Sequence, residues 1–371
     1  MLITILIFVV ILGILIFVHE LGHFLAAKRS GLTVHEFGFG FPPRLVGLRR
    51  GGTLYSLNWI PIGGFVKIKG ETGPETGEPD SFASLSAFRR TVILLAGVGM
   101  NVLLAALLLS FTFALGAPSA INETLPKGAV VRDQSIQVVS VLAQSPAAAA
   151  GLETGDRVLT IDGNTFATVE EIQEYNASRK DQTETILVQR GSETISATIV
   201  PSLLAESKEQ AVWGVTLLPV GVVSFPWYTA LWLGVRQTGV LFWQIIVAFA
   251  QLFKNLIIHQ TVSADIAGPV GIAVLTGQVV NLGFLYVFQF TALLSLNLAL
   301  VNALPFPALD GGRVLFVFLE KVRGRKISAR IESIVHNIGF VLLLLLVFVV
   351  TIRDVDKLTG GLLKFFNSLF G

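Results

Sequence analysis

The chain has no cysteine in 371 residues. Disulfides and thiolate-ligated metals are therefore excluded, and the redox compartment stays open. Charge is also scarce: Asp, Glu, Lys and Arg make up 14% of the residues, against about 25% in a typical soluble domain. No basic tail accompanies the net charge of +2, so nothing points to nucleic acid. What the chain has in excess is apolar surface, with 53% hydrophobic residues and a mean hydropathy of +0.72. Crossing a bilayer takes roughly twenty apolar residues, and several runs are that long, so the chain reads as an integral membrane protein. The N-terminal run lacks the basic start of a signal peptide. FLAAKRSG, rather than a small-residue cleavage site, follows His23, and the run reads as a retained helix.

Five apolar stretches and one polar insert follow from this pattern. They are Met1 to Ala27, Thr91 to Leu115, Phe225 to Phe253, Leu282 to Leu304 and Val335 to Ile352. Basic residues crowd segment 28–90, from Lys28-Arg29 to Arg89-Arg90, and again segment 313–330. By the positive-inside rule both segments are cytoplasmic, which leaves the N-terminus and residues 121–224 outside. An odd number of crossings must then link the insert to Arg313, so one of the two intervening stretches does not cross. Gln237, Gln244 and Gln251 recur every seven residues in 225–253, beside Arg236 and Lys254. A polar stripe of this kind marks an interfacial amphipathic helix; the other reading is a true span whose stripe faces a bundle interior. The expectation is about four transmembrane helices, with Gly268-Pro269 breaking any helix in the connector. The domains run 1–120, 121–224, 225–281 and 282–371, the last ending in a short interfacial tail, LTGGLLKFFNSLFG, with Lys364 on its polar side.

Inside the first apolar run stands HELGH, residues 19–23. Ionisable groups in hydrocarbon are costly and usually functional. His19 and His23 lie one helical turn apart on the same face, able to grip one zinc, while Glu20 can take a proton from its water. Zinc lowers the pKa of that water to about 7. At a rise of about 1.5 Å per residue, His19 sits roughly 13 Å from the basic end of the helix. An open catalytic site calls for a third protein ligand. In LNLALVNALPFPALDGGR (296–313), Pro305 and Pro307 break the helix. Such backbone is tolerated at membrane depth only within protein or beside a cavity. Asp310 follows the break on the same side as the histidines and fits the third position, the alternative being a simple Asp-Gly-Gly turn. Asn302 faces inward about two turns earlier, either to donate to a substrate carbonyl or to glue two helices. His35, His259 and His336 are isolated and read as loop or interface residues.

HELGH in a first span, LDGG after NALPFPALDGG and an insert between them resemble the site-2 metalloprotease family, and more narrowly its bacterial regulator-of-sigma-E protease type. The resemblance implies zinc held by His19, His23 and Asp310, Glu20 as catalytic base, and cleavage of transmembrane segments of single-pass proteins within the cell inner membrane. Trimmed anti-sigma factors or leftover signal peptides would be such substrates. It also implies a substrate-contacting turn at Gly38-Phe39-Gly40 and a membrane-dipping β-loop over 55–70. TLYSLNWIPIGGFVKI itself is rich in β-branched and aromatic residues and is interrupted by Pro61 and Gly63-Gly64, which suggests a bent hairpin with an open edge. Such an edge could take the substrate as an added strand; the plainer reading is an amphipathic loop on the membrane surface. The chain departs from the family in AGVGMN (96–101), where Val98 stands near the usual proline and Asn101 is retained.

The insert alternates like strands in IQVVSVLA, RVLTIDG, TILVQR and TISATIV, with a hairpin turned at Arg190-Gly191-Ser192. Its order resembles one circularly permuted PDZ domain. A peptide groove would lie around Gln137 to Leu142, and the position outside the active-site face implies a size gate. The fold class expected is thus a polytopic α-helical membrane protein with a β-loop and an inserted α+β PDZ-like domain. Two other functions compete. A membrane scaffold with a structural zinc would want four protein ligands and no base. A metal transporter would show paired sites or repeated broken helices.

Overall fold

A computed structural model describes residues 2–71, 78–121, 128–142, 145–179, 182–191, 193–201, 212–258, 267–325 and 327–359. The chain divides into two compact units, residues 112–230 and the remainder on either side.

The larger unit begins with α1 (Leu2–Arg29). Gly31, at φ +79°, ends this helix. The Leu32 and Gly31 N–H groups turn back to the Ala27 and Lys28 carbonyls, satisfying acceptors that the helix end exposes. Next come β1 (Val34–Arg50) and β2 (Thr53–Ile68), which fold over one another. Residues 34–41 pair antiparallel with 60–68, 44–50 pair antiparallel with 53–58, and 36–39 also lie beside 54–57. The bent hairpin expected within 53–68 is therefore corrected: each half of β2 pairs with β1 rather than with the other half. Gly38-Phe39-Gly40 lies in strand β1, not in a turn. Pro42-Pro43 and Pro61 cannot complete a ladder, so both strands bend where they occur. A 3₁₀ turn at Phe82–Ser84 leads into α2 (Ala87–Leu115). Ala27, Leu32, Val34, Ile68 and Ile93 form the core under the β-loop.

The inserted unit contains β3 (Ala117–Ala120), β4 (Val130–Val141), α3 (Pro146–Ala149), β5 (Arg157–Ile161), α4 (Val169–Ser178), β6 (Glu184–Arg190), β7 (Glu193–Ile199) and β8 (Val215–Ser224). The strands form one sheet in the order β3-β8-β4-β5-β6-β7. A capping box from Thr168 and Glu171 starts α4. Ile161, Ile172, Ile186, Val188 and Trp213 fill the core, giving the expected α+β, PDZ-like insert. The groove around Gln137 to Leu142 needs correction. β4 is interior to the sheet, paired with β8 throughout and with β5 at Ile136 and Gln137. The strand that α4 touches is β8, whose residues 215–218 extend past the reach of β3. Ser192 lies outside the described residues.

After the insert come α5 (Trp227–Ile258), α6 (Pro269–Leu282), α7 (Phe284–Ala303), α8 (Asp310–Arg323) and α9 (Ala329–Thr359). Among the described residues, five helices are long and apolar enough to cross a membrane: α1, α2, α5, α7 and α9. Ala105 and Leu109 of α2 pack with Ile245 of α5 and with Ala292 and Leu296 of α7. The glutamine stripe of α5 lies away from that core, with Gln244 and Gln251 exposed. Gly268-Pro269 starts a helix instead of breaking one: Gly268 is the N-cap and Pro269 the first residue of α6, where its missing N–H costs nothing. The basic segment after Asp310 is a helix too, and α8 leaves Leu315, Phe318, Leu319 and Val322 exposed along it. His259 and residues 360–371, which include Lys364, lie outside the described residues.

Candidate metal centre

α1 carries His19 and His23, both buried, with their Nε2 atoms 3.2 Å apart. Irregular backbone brings the third group. α7 ends at Ala303, residues 304–309 run without regular structure, and α8 opens on Asp310. Gly312 packs so tightly against the returning chain that a Cβ there would lie 3.2 Å from the Pro307 Cα and closer still to the Phe306 carbonyl. α9 closes the break from behind: Gly339 leaves room for Pro307, and the Ala308 N–H donates to His336 Nδ1 at 2.9 Å. The Asp310 Oδ2 atom thereby stands 2.9 Å from His19 Nε2 and 3.2 Å from His23 Nε2.

These three atoms fit one metal ion. Ligands at zinc distances and tetrahedral angles lie about 3.3 Å from each other, close to the spacing found, and the two-nitrogen, one-carboxylate set suits zinc. His23 also holds the needed tautomer. Its Nδ1 lies 2.9 Å from the Ile93 carbonyl and donates to it, which leaves the Nε2 lone pair facing the cluster. Three protein ligands leave a coordination position for water or substrate.

Glu20 lines the cavities on both sides of the cluster. One, of 570 Å³, is bordered by Glu20, His23, Asp310, Arg313, Glu71 and His336. The other, of 220 Å³, is bordered by Ile16, His19, Glu20, Leu298, Asn302 and Asp310. Arg313 and Glu71 form an ion pair beside the larger one. Of the residues expected from sequence, His19, Glu20, His23, Asp310 and Asn302 come together, with Asn302 Nδ2 3.5 Å from His19 Nε2. Gly64 joins them, since a Cβ there would lie 3.2 Å from Glu20 Cγ. Gly38 meets the Phe65 ring and Ser56, and Phe39 packs on Phe17 and Gly13 of α1. Gly40 and Gly63, at φ +79° and +108°, sit against the Ile60 carbonyl and the Phe41 ring. Those four shape the β-loop rather than touch the cluster.

Sequence reasoning overlooked three neighbours. His35 and His336, read as isolated, both line the larger cavity. Gly97 of α2 lies against the ligands, and a Cβ there would come 2.5 Å from His23 Nε2. In AGVGMN it stands four residues before Asn101, on the same helix face, a spacing that by itself does not mark a place beside the histidines.

Comparison with known proteins settles the class. The model of peptidase family M50 matches residues 7–346. The chain belongs to peptidase family M50. A Clostridium perfringens protein that carries a zinc metalloprotease name is 33% identical over 341 residues, 92% of this chain and 95% of its own. Zinc metalloprotease RasP of Geobacillus kaustophilus is 30% identical, over 94% of this chain and 97% of its own. Among solved structures, the PDZ domain of the SdrC-like protein from Listeria monocytogenes is 28% identical, covering 26% of this chain and 93% of that one at a TM-score of 0.20. This M50 chain is a multi-pass membrane metalloprotease.

Proposed function

We propose that the chain is a zinc endopeptidase that cuts transmembrane segments of single-pass proteins inside the bilayer. The observation that carries the reading is the convergence of Asp310 with His19 and His23, beside Glu20, on α1, a helix long and apolar enough to span. Zinc bound by those three side chains would supply a water of lowered pKa and polarise the scissile carbonyl. A Glu20 carboxylate oxygen accepts the proton of the attacking water and passes it to the departing amide nitrogen. The Asn302 amide, on the His19 side, donates to the carbonyl oxygen as it gains charge.

A transmembrane helix hides its carbonyls in its own hydrogen bonds, so the substrate must be extended before attack. Residues 60–68 supply the means: among the described residues, no strand pairs with their outer edge, and Gly64 on that segment touches Glu20. A substrate strand added there would lie against the base. The basic segments 28–90 and 313–330 support a cytoplasmic site and an extracytoplasmic insert, where the PDZ-like domain serves as a gate against substrates with bulky external domains and a peptide could enter its groove. Membrane lipid surrounds the spans.

The experiment compares purified wild type with Glu20→Gln, reading bound zinc and cleavage of a tagged transmembrane peptide together. Retained zinc with cleavage reduced about 10²–10⁴-fold is expected for loss of the base. Cleavage at the wild-type rate in Glu20→Gln would overturn the mechanism.

A further inference from the structure

Asn101 is wholly buried on α2, one turn beyond Gly97. A buried amide in an apolar helix is unfavourable unless its polar atoms are paired. Its Nδ2 lies 3.4 Å from His19 Nδ1, and its Oδ1 has no hydrogen-bond partner. That orientation conflicts with metal binding. An Asn N–H facing Nδ1 requires the lone pair on Nδ1, and a neutral imidazole then carries its proton on Nε2. Nε2 is the atom aimed at His23 and Asp310.

The conflict disappears when the amide turns over about its Cβ–Cγ bond, since O and N of an amide have nearly the same shape. With the proton on Nδ1, the first orientation sets donor against donor and leaves Oδ1 unpaired. The turned amide replaces the donor–donor clash with one hydrogen bond, from His19 Nδ1–H to Oδ1, and carries Nδ2 to the place that Oδ1 held. Asn101 is also held at the required height, because Ser295 of α7 donates its hydroxyl to the Asn101 carbonyl at 2.8 Å.

We propose that Asn101 is the positioning residue of His19: its Oδ1 accepts the Nδ1–H and fixes the tautomer and ring plane that aim Nε2 at the metal. The Ile93 carbonyl does the same for His23, so each histidine is oriented from α2. This proposal rests on the zinc reading above and adds an outer partner to it.

The test measures zinc affinity of the full chain by competition with a chelator, in wild type, Asn101→Leu and Asn101→Asp, with the melting temperature of each metal-free protein. Leucine keeps the size and loses the acceptor, and should weaken zinc about 10- to 100-fold without lowering the metal-free melting temperature. Aspartate keeps the acceptor and should bind zinc at least as tightly as wild type. A structural role would instead lower the melting temperature of both variants. In zinc-loaded wild type, ¹⁵N-histidine spectra should also show His19 protonated at Nδ1, a measurement that needs no variant to fold. Wild-type zinc affinity in Asn101→Leu, failure of Asn101→Asp to bind better than Asn101→Leu, or a bare His19 Nδ1 would each overturn the proposal. A wild type that holds no zinc would overturn the metal reading itself, and this proposal with it.

Discussion

Gly97 shows how little room the metal centre leaves. A Cβ at that position would lie 2.5 Å from His23 Nε2 and 2.7 Å from His19 Cε1, closer than carbon and nitrogen can approach. Gly97→Ala must push one imidazole out of the cluster, and zinc content should fall at least about tenfold, as for other disturbed metal surroundings. Metal analysis of the purified variant against wild type checks this. Unchanged zinc would mean that α2 can retreat. The two kinds of site residue differ in how far sequence exposes them. His19, Glu20 and His23 are legible because three ionisable groups at helical spacing have no place in hydrocarbon without a purpose. Gly97 is not, because a glycine in an apolar helix reads as helix packing, and only the fold shows that it lies against His19 and His23.

At the level of elements, the β-loop depends on Glu36. This buried carboxylate of β1 accepts from the Ser56 hydroxyl at 2.7 Å and pairs with Lys67 and Arg44 at 3.1 and 3.2 Å, tying both halves of β2 to β1. Burial alone would raise its pKa, but Ser56, Lys67 and Arg44 together hold it below the usual carboxylate range. A carboxyl depressed in the folded state contributes stability above its unfolded pKa and loses it as pH falls through the folded value. Glu36→Gln should therefore cost about 1–3 kcal/mol at neutral pH, with the gap to wild type narrowing in acid. Melting curves across pH test both the size and the sign. α6 gives a second case. Its N-cap, Gly268, has no side chain, and Asp354 of α9 accepts from the Gly271 N–H at 2.7 Å in its place. Asp354→Ala should cost about 1 kcal/mol, as loss of a cap does, and a melting temperature unchanged by the variant would rule that cap out. Neither arrangement was readable in advance. Alternation identifies a strand but not its partner, so β2 looked like a hairpin with itself. Gly-Pro opens a helix as readily as it ends one when a distant carboxylate supplies the cap.

For the whole molecule, composition pointed to the membrane class and the HELGH and LDGG motifs to the metalloprotease family, while partner choice among elements came only from the fold. Domain function is where the chain can be tested as an assembly. The ends of the larger unit nearly meet at the insertion: the Ser110 hydroxyl lies 3.4 Å from the Leu231 carbonyl, and Gly234 packs directly on Ser110. Residues 112–230 can therefore be replaced by a short flexible linker without stretching α2 away from α5. If the PDZ-like insert serves only as a size gate, the excised protein should keep its zinc and its rate on a short transmembrane peptide. It should also cleave a substrate still carrying a folded external domain, which the full chain spares. Paired assays of both proteins on both substrates decide the matter. Loss of cleavage on the short peptide, with zinc retained, would make the insert part of substrate delivery instead of exclusion.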